Sequence, residues 1–282
     1  MISVSVENYK GEKLQLTNSE YFDITNVTGL NPQTASIIFT ELAGMDGSRY
    51  NSGRIPKRNI VITLCYKPPI EENRNMIYRF FAPNSAVRLY FETDSKSVYI
   101  DGYTEANEVG LFTRSQQSQI SIICPNPYFK SAAGINVNFS DTISLFEFPF
   151  SIPAAGIEFS KITKRSNVVI NAGEIATGAI FTLTARTSQI LNPKIYNNTT
   201  NEFFGLDVDL DAGDVVTINT NAGEKAVMLR HNGAISNIIS SRQSGSKWLQ
   251  LISGENEISY SCDEGAENLA VNVRSAACYW GL

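Results

Sequence analysis

The feature that most constrains this chain is a repeated rhythm of short apolar segments. They are rich in Val, Ile, Thr, Phe and Tyr, and Gly, Asn, Asp or Pro interrupts them about every 8 to 12 residues. This rhythm is typical of β-sandwiches and β-barrels, so we expect an all-β fold. The predicted strands are 35–42, 59–66, 87–91, 97–105, 119–124, 156–160, 168–171, 178–186, 194–197, 203–210, 215–220, 226–230, 248–252, 257–261 and 269–273.

One segment, 69–81, has helical spacing instead. Ile70, Ile77 and Phe81 recur on one face of a helix. Pro69 opens the segment and two glutamates follow it, which suits the N-terminus of a helix. The sequence therefore predicts one substantial helix in a chain that is otherwise β.

The length of 282 residues favours two domains. Pro125 and Pro127 stop the strand that ends at Cys124, because proline cannot donate to a sheet ladder. The small residues of 131–134 follow. We place the boundary here, with one domain at 1–130 and a second at 131–282.

Charge and hydropathy exclude two classes of partner. The net charge is −5 with no basic stripe, so direct nucleic-acid binding is not expected. The start of the chain, 1–6, lacks the pattern of a signal peptide, and no apolar run reaches the length of a membrane helix. We expect a protein that folds in the cytoplasm and has no membrane span.

The residues suited to metal binding and proton transfer are few and scattered. Cys65, Cys124, Cys262 and Cys278 form no Cys-x-x-Cys pair, and His231 is the one histidine. Metal sites need clustered ligands, so we interpret the cysteines as small buried hydrophobes. His231 lies in a predicted turn, which favours a surface residue over a catalytic one.

Four aspartates at alternating or nearby positions suggest a calcium loop. They are Asp207, Asp209, Asp211 and Asp214. The pattern then fails, because an EF-hand needs Gly where Ala212 stands and Glu where Ile218 stands. A strand with one solvated face explains the spacing better. No phosphate loop, zinc-protease motif or nucleophile elbow occurs either, so we predict a protein without enzymatic activity, cofactor or metal.

Aromatic residues in the second half leave an alternative open. Exposed rings can stack on sugars, but rings at alternate strand positions more often fill the space between two sheets. The candidate rings for a carbohydrate site are Trp248, Tyr260 and Trp280.

Several stretches, spread over nearly the whole chain, together resemble the distal tail (Dit) protein family, also called the siphovirus-type tail component, of phages that infect Gram-positive bacteria. In the first half they are Tyr21-Phe22-Asp23-Ile24, Gly29-Leu30, Met45-Asp46-Gly47, Arg58-Asn59-Ile60-Val61-Ile62, Val98-Tyr99-Ile100-Asp101-Gly102-Tyr103 and Ile120-Ser121-Ile122-Ile123-Cys124-Pro125-Asn126-Pro127-Tyr128-Phe129. In the second half they are Phe148-Pro149-Phe150, Gly156-Ile157-Glu158-Phe159-Ser160, Asn192-Pro193-Lys194-Ile195, Ile218-Asn219-Thr220 and Trp248-Leu249-Gln250-Leu251.

The resemblance implies an N-terminal β-barrel domain, related to the RIFT barrel, that carries one helix and joins its copies into a hexameric ring. A galectin-like β-sandwich follows it. The implied role is a structural hub at the virion tail tip, assembled in the host cytoplasm. Implied partners are the tail tube protein, the tape measure protein, a tail-associated lysin or fibre protein, and a receptor-binding protein. The alternative is a carbohydrate-binding module that adsorbs to host cell-wall polysaccharide.

A ring of identical subunits needs a heterologous contact that closes, and an extended arm can supply it. The candidate arm is the predicted loop 43–56 with the strands on either side of it. Its candidate contact residues are Gly44, Met45, Asp46, Gly47, Arg49 and Tyr50.

Overall fold

A computed structural model describes residues 2–44, 46–113, 115–139, 142–144, 160–162 and 166–282. They form two compact units. Unit 1 comprises Met1–Ala133 together with Cys278–Leu282, and unit 2 comprises Gly134–Ala277. The predicted division at 130 and 131 did not anticipate that residues 278–282 return to the first unit.

The chain contains one α-helix, two short 3-10 turns and the following strands in its described part. The first ten strands and the helix are β1 Ser3–Asn8, β2 Lys13–Gln15, β3 Phe22–Thr28, β4 Ser36–Glu41, β5 Ser48–Arg54, β6 Arg58–Tyr66, α1 Ile70–Phe80, β7 Ala86–Glu92, β8 Ser97–Val109, β9 Gln117–Cys124 and β10 Phe129–Ser131. The remaining strands are β11 Ile135–Asn138, β12 Thr142–Ser144, β13 Ser160–Ile162, β14 Ser166–Asn171, β15 Thr177–Ala185, β16 Ile190–Leu191, β17 Lys194–Asn197, β18 Glu202–Gly205, β19 Asp209–Leu210, β20 Val215–Asn219, β21 Ala226–His231, β22 Ala234–Asn237, β23 Gln250–Leu251, β24 Gly254–Ser261, β25 Leu269–Ser275 and β26 Cys278–Tyr279. The 3-10 turns are Ile239–Ser241 and Ala266–Asn268.

Unit 1 is built on one antiparallel sheet with the strand order β2-β1-β7-β8-β9-β6-β3, and β10 joins it by pairing with β8 and β26. The all-β prediction is confirmed. Among the described strands the sheet does not close on itself, because the edge strands β2 and β3 do not pair with each other. Strand β2 has three residues, and a bulge interrupts β3, so neither edge offers a long regular ladder. The helix α1 packs against β1 and β6 of this sheet.

The predicted helix is present as α1. Ile77 and Phe81 are fully buried in the same core cluster as Val6 and Leu64, which come from separate strands of the sheet. This burial, together with glutamates in the first turn and an arginine in the last, explains why the segment is helical.

Unit 2 is a sandwich of two antiparallel sheets. One has the order β11-β25-β15-β20-β21-β22, with β23 beside β15, and the other has the order β14-β24-β17-β18. Phe181 and Val273 from the first sheet share one buried cluster with Ile195 and Ile258 from the second. The alternation of apolar and polar residues along these strands produces this arrangement, since every second side chain faces the other sheet.

Three buried asparagine side chains form hydrogen bonds with the loops of unit 2. Asn171, Asn197 and Asn256 are each at most 1% exposed. Their side chains donate to backbone carbonyls of neighbouring loops, for example from Asn171 to Leu251 at 3.0 Å and from Asn197 to Gln250 at 2.9 Å. Buried amides of this kind satisfy backbone groups that a loop would otherwise leave unpaired.

The predicted strand 203–210 is divided into β18 and β19. Leu206 and Leu210 are buried and the aspartates between them are exposed, so the predicted alternation of burial holds. The ladder nevertheless breaks, because Leu206 N–H donates to the carbonyl of Pro193 and Asp207 N–H donates to that of Ser241. Of the predicted strand 156–160, only residue 160 lies within the described residues.

The four cysteines differ in burial. Cys124 and Cys278 are buried, whereas Cys65 and Cys262 are half-buried. Burial raises the pKa of the Cys124 thiol from its ordinary value of 9.0 to about 12.

This shift predicts a pH-dependent stability. The folded state keeps the Cys124 thiol protonated while the unfolded chain ionises it above pH 9.0, so stability is lost as pH rises from about 9 to about 12. Between pH 8 and pH 10 the free energy of unfolding should therefore fall by about 1.4 kcal/mol more in the native protein than in Cys124→Ala. Urea unfolding at the two pH values measures the difference, and equal slopes for the two proteins would contradict it.

Candidate assembly surface

Strands β4 and β5 form a hairpin that is a sheet of its own. Neither strand pairs with any other described strand, and every residue of both is exposed. The segment 43–56 is therefore not wholly the loop that was predicted, since β5 occupies half of it. Gly44 and Gly47 take positive φ angles of 82° and 88° at the turn, as a tight connection requires. Met45 lies outside the described residues.

The hairpin carries uncovered apolar side chains. Ile38, Phe39 and Tyr50 are 56%, 53% and 60% exposed, and Ile37 and Leu42 are exposed as well. The rings of Phe39 and Tyr50 lie across the two strands with their centroids 6.2 Å apart at an interplanar angle of 71°. Single exposed hydrophobic residues are ordinary, but a contiguous group on an unpartnered hairpin marks an interaction surface.

A β-bulge bends the hairpin at its middle. The register shifts between Ile38 and Phe39, so that Asn51 is an extra residue in β5. The Asn51 side-chain amide donates to the Thr40 hydroxyl at 2.6 Å, which fixes the bulge. A bulge increases the local twist and limits how far a regular ladder extends along the strand.

The described predicted contact residues lie on this hairpin, but of these only Tyr50 belongs to its apolar face. Of the six, Tyr50 contributes a ring and Arg49 lies beside it in β5, while the glycines and Asp46 form the turn. Ile37, Ile38 and Phe39 were missed. Their unbroken apolar run in the sequence is also typical of a buried strand, so the run alone does not indicate exposure.

The three candidate sugar-binding rings differ in burial and in the unit to which they belong. Tyr260 is 3% exposed and belongs to the core of unit 2, whereas Trp280 belongs to unit 1 and meets Tyr128 edge-on. Trp248 is half-buried against Phe204, with ring centroids 5.1 Å apart. A carbohydrate site on these rings stays a prediction.

Two of the aspartates that suggested a calcium loop, Asp211 and Asp214, belong to a hydrogen-bonded turn. Asp214 is buried, and its carboxylate accepts from the Asp211 N–H at 3.0 Å and contacts His231 Nδ1 at 2.8 Å. Asp211, Asp214 and His231 place ligand atoms within 4.8 Å of one another, but these bonds occupy both oxygens of Asp214. Arg230 also lines the adjacent depression, and its positive charge disfavours a cation.

No helix in the described part of the chain is both long and apolar enough to cross a bilayer.

Comparison with solved structures identifies the fold of the chain. The chain is similar to the crystal structure of the SPP1 Dit protein, described as a paradigm of the hub adsorption apparatus in phages that infect Gram-positive bacteria. The TM-score is 0.68 at 12% identity, covering 98% of each chain. A chain of the phage P2 baseplate in its activated conformation with Ca gives a TM-score of 0.54 at 11% identity, covering 98% of this chain and 99% of that one. The fold is thus that of a phage distal tail protein.

The family comparison matches the second half of the sequence. Residues 172–275 match the model of the siphovirus-type tail component, C-terminal domain. The resemblance to the distal tail protein family that the sequence motifs suggested is therefore confirmed. No curated protein sequence matches the chain.

Proposed function

We propose that this protein is a non-enzymatic structural hub of a phage tail tip, and that its copies assemble into a hexameric ring through the β4–β5 hairpin. The observation that carries the proposal is the hairpin itself, because its strands have free edges and its apolar side chains are uncovered. A folded protein that presents such a surface gains free energy when a partner covers it.

The hairpin suits a contact between identical subunits. In a ring, each protomer offers one surface and receives a different one, so an arm that leaves one copy and docks on the next fits the geometry. Exposed strand edges provide backbone hydrogen bonds for such docking, and the rings of Phe39 and Tyr50 provide anchors.

The relatives support the proposed tail-tip location and partners. The SPP1 protein is described as part of a hub adsorption apparatus, and the P2 chain belongs to a baseplate. We infer that this protein joins the tail tube protein to a tail-associated lysin or fibre protein, alongside the tape measure protein and a receptor-binding protein. Assembly takes place in the host cytoplasm, and the mature location is the virion tail tip.

Disrupting the apolar face of the hairpin tests the proposal. The double variant Phe39→Ser, Tyr50→Ser should be monomeric while the native protein forms rings of six lobes, because the two anchors are lost without disturbing a buried core. Sedimentation velocity over a concentration series and negative-stain imaging measure this.

The matched control is Ile235→Ser. Ile235 is 68% exposed on β22 of unit 2, so its replacement removes a similar apolar surface elsewhere and should leave the ring intact. A double hairpin variant that still forms rings would reject the role of the hairpin. A native protein that stays monomeric at high concentration would reject the hub itself.

A further inference from the structure

The direction in which the β4–β5 hairpin points depends on the two chain segments at its base. Because β4 and β5 pair with no other described strand, the two chain segments that lead into and out of the hairpin fix its position. The incoming segment passes through residues 29–35, and the outgoing segment ends at Arg58, the first residue of β6. Contacts at these two segments therefore control where the hairpin points.

Arg58 ties the two segments together. It is 1% exposed, and its Nη1 donates to the backbone carbonyls of Gly29 and of Asn31, the latter at 2.8 Å. Its Nε donates to the Pro127 carbonyl at 2.6 Å, and its Nη2 donates to the Trp280 carbonyl at 2.6 Å. One side chain thus joins the outgoing segment, the incoming segment and residues 278–282.

Residues 278–282 also contact the incoming segment directly. The Leu282 N–H donates to the Leu30 carbonyl at 3.3 Å. A Cβ on Gly281 would lie 2.9 Å from the Leu30 oxygen and 3.0 Å from Pro32 Cδ, so only glycine fits this close approach. Residues 278–282 therefore pack so closely against the incoming segment that no side chain fits at position 281.

The other end of residues 278–282 is anchored in the sheet of unit 1. Strand β26 pairs with β10, where Phe129 faces Tyr279 and Lys130 faces Cys278. The Trp280 ring also meets Tyr128 edge-on, with centroids 5.3 Å apart. The segment thus connects a rigid part of the sheet to the base of the hairpin.

We propose that residues 278–282 act as a latch on the base of the β4–β5 hairpin, with Arg58 as the positioning residue, and that closing this latch sets the hairpin in the direction that ring assembly requires. The effect of the latch on ring assembly rests on the proposed function of the hairpin. The effect of the latch on the direction of the hairpin does not depend on that function.

The variant Gly281→Ala tests the latch. The added Cβ must displace the segment from Leu30 and Pro32, whereas the control Gly134→Ala places its Cβ at an ordinary 3.6 Å from the Ser275 carbonyl. We expect Gly281→Ala to weaken ring assembly by about tenfold or more in sedimentation experiments, and Gly134→Ala to leave it unchanged.

Hairpin direction is measured separately by electron–electron double resonance. Nitroxides are placed at Ser48→Cys on the hairpin and Glu105→Cys on β8, in a Cys65→Ser, Cys262→Ser background diluted with unlabelled protein. The distance distribution should broaden in Gly281→Ala and stay narrow in Gly134→Ala. An unchanged distribution in Gly281→Ala would overturn the latch, whatever happens to assembly.

The two readouts separate the two proposals. A broadened distance distribution with unchanged assembly would confirm that the latch sets the direction of the hairpin. The same result would reject both the control of assembly by the latch and the role of the hairpin in the ring. Should Gly281→Ala fail to fold, as judged by circular dichroism, Arg58→Lys serves instead. Lysine keeps the charge but lacks the planar fork that reaches several carbonyls, so the same broadening is expected, and a narrow distribution would again overturn the latch.

Discussion

Replacing Arg58 with methionine should lower the free energy of unfolding of unit 1 by about 3–5 kcal/mol. The substitution keeps much of the side-chain volume but leaves four carbonyl oxygens without the donors that the buried Arg58 side chain supplies. It also removes the guanidinium from above the Phe129 ring, whose centroid lies 4.6 Å away. Urea unfolding followed by Trp280 fluorescence, in a Trp248→Phe background, reports on unit 1 alone.

Arg88 provides a matched control in the same sheet. It also lies over an aromatic ring, with Tyr99 at 4.5 Å, but its charge is paired with Asp101 at 2.6 Å on a partly exposed surface. Arg88→Met should cost about 1 kcal/mol or less, because surface ion pairs contribute little. Equal losses for the two arginines would show that the carbonyl cluster around Arg58 is not what stabilises the unit.

In unit 2, Asn256→Ala should lower the free energy of unfolding by about 2–4 kcal/mol. The Asn256 side chain is 0% exposed and holds both backbone groups of Ile252, accepting from its N–H at 2.9 Å and donating to its carbonyl at 2.8 Å. It also donates to the Gly254 carbonyl at 3.1 Å. Alanine removes all three of these hydrogen bonds and the donor and acceptor that supply them. Unfolding followed by Trp248 fluorescence, in a Trp280→Phe background, measures the loss.

Asn198 is the control for this prediction. It is exposed at the end of β17, where its side-chain oxygen accepts from the Ser259 hydroxyl at 3.2 Å. Asn198→Ala should change the free energy of unfolding by about 0.5 kcal/mol or less, as exposed polar substitutions usually do. If Asn256→Ala lowered the free energy of unfolding as little as Asn198→Ala does, water would be replacing the lost amide. The loop would then not depend on the Asn256 side chain.

Elements governed by local patterns could be predicted from the sequence. The spacing of Ile70, Ile77 and Phe81 marks one face of a helix, and that face is the one buried in unit 1. Period-two alternation similarly predicted which residues of 206–210 are buried. Both results depend on side-chain direction, which the local backbone sets.

The choice of distant partners could not be predicted. The alternation at 206–210 continues across the point where the ladder changes partner, so it does not show that β18 and β19 are separate. Arg58 looks like an ordinary charged residue at the start of a strand. Its burial depends on carbonyls at residues 29, 31, 127 and 280, which only the folded chain brings together.

The candidate surface was predicted in part for the same reason. The sequence placed an arm in the right part of the chain, but it read 43–56 as a loop, because Ser, Asn and Gly dominate β5. A strand of that composition forms only when an apolar strand such as β4 lies beside it, and the sequence of β5 alone carries no sign of that neighbour.

The bulge at Asn51 has a consequence for unassembled copies of the protein. A directional contact that does not close into a ring continues as an open filament, so surplus protomers are at risk of polymerising into fibres. The bulge interrupts the flat strand edge that fibre growth requires. Arg49 and Arg54 in β5 place positive charges along this edge, and these charges oppose edge-to-edge pairing. If the hairpin closes the proposed ring, deleting Asn51 should straighten it and make the protein form insoluble aggregates more readily.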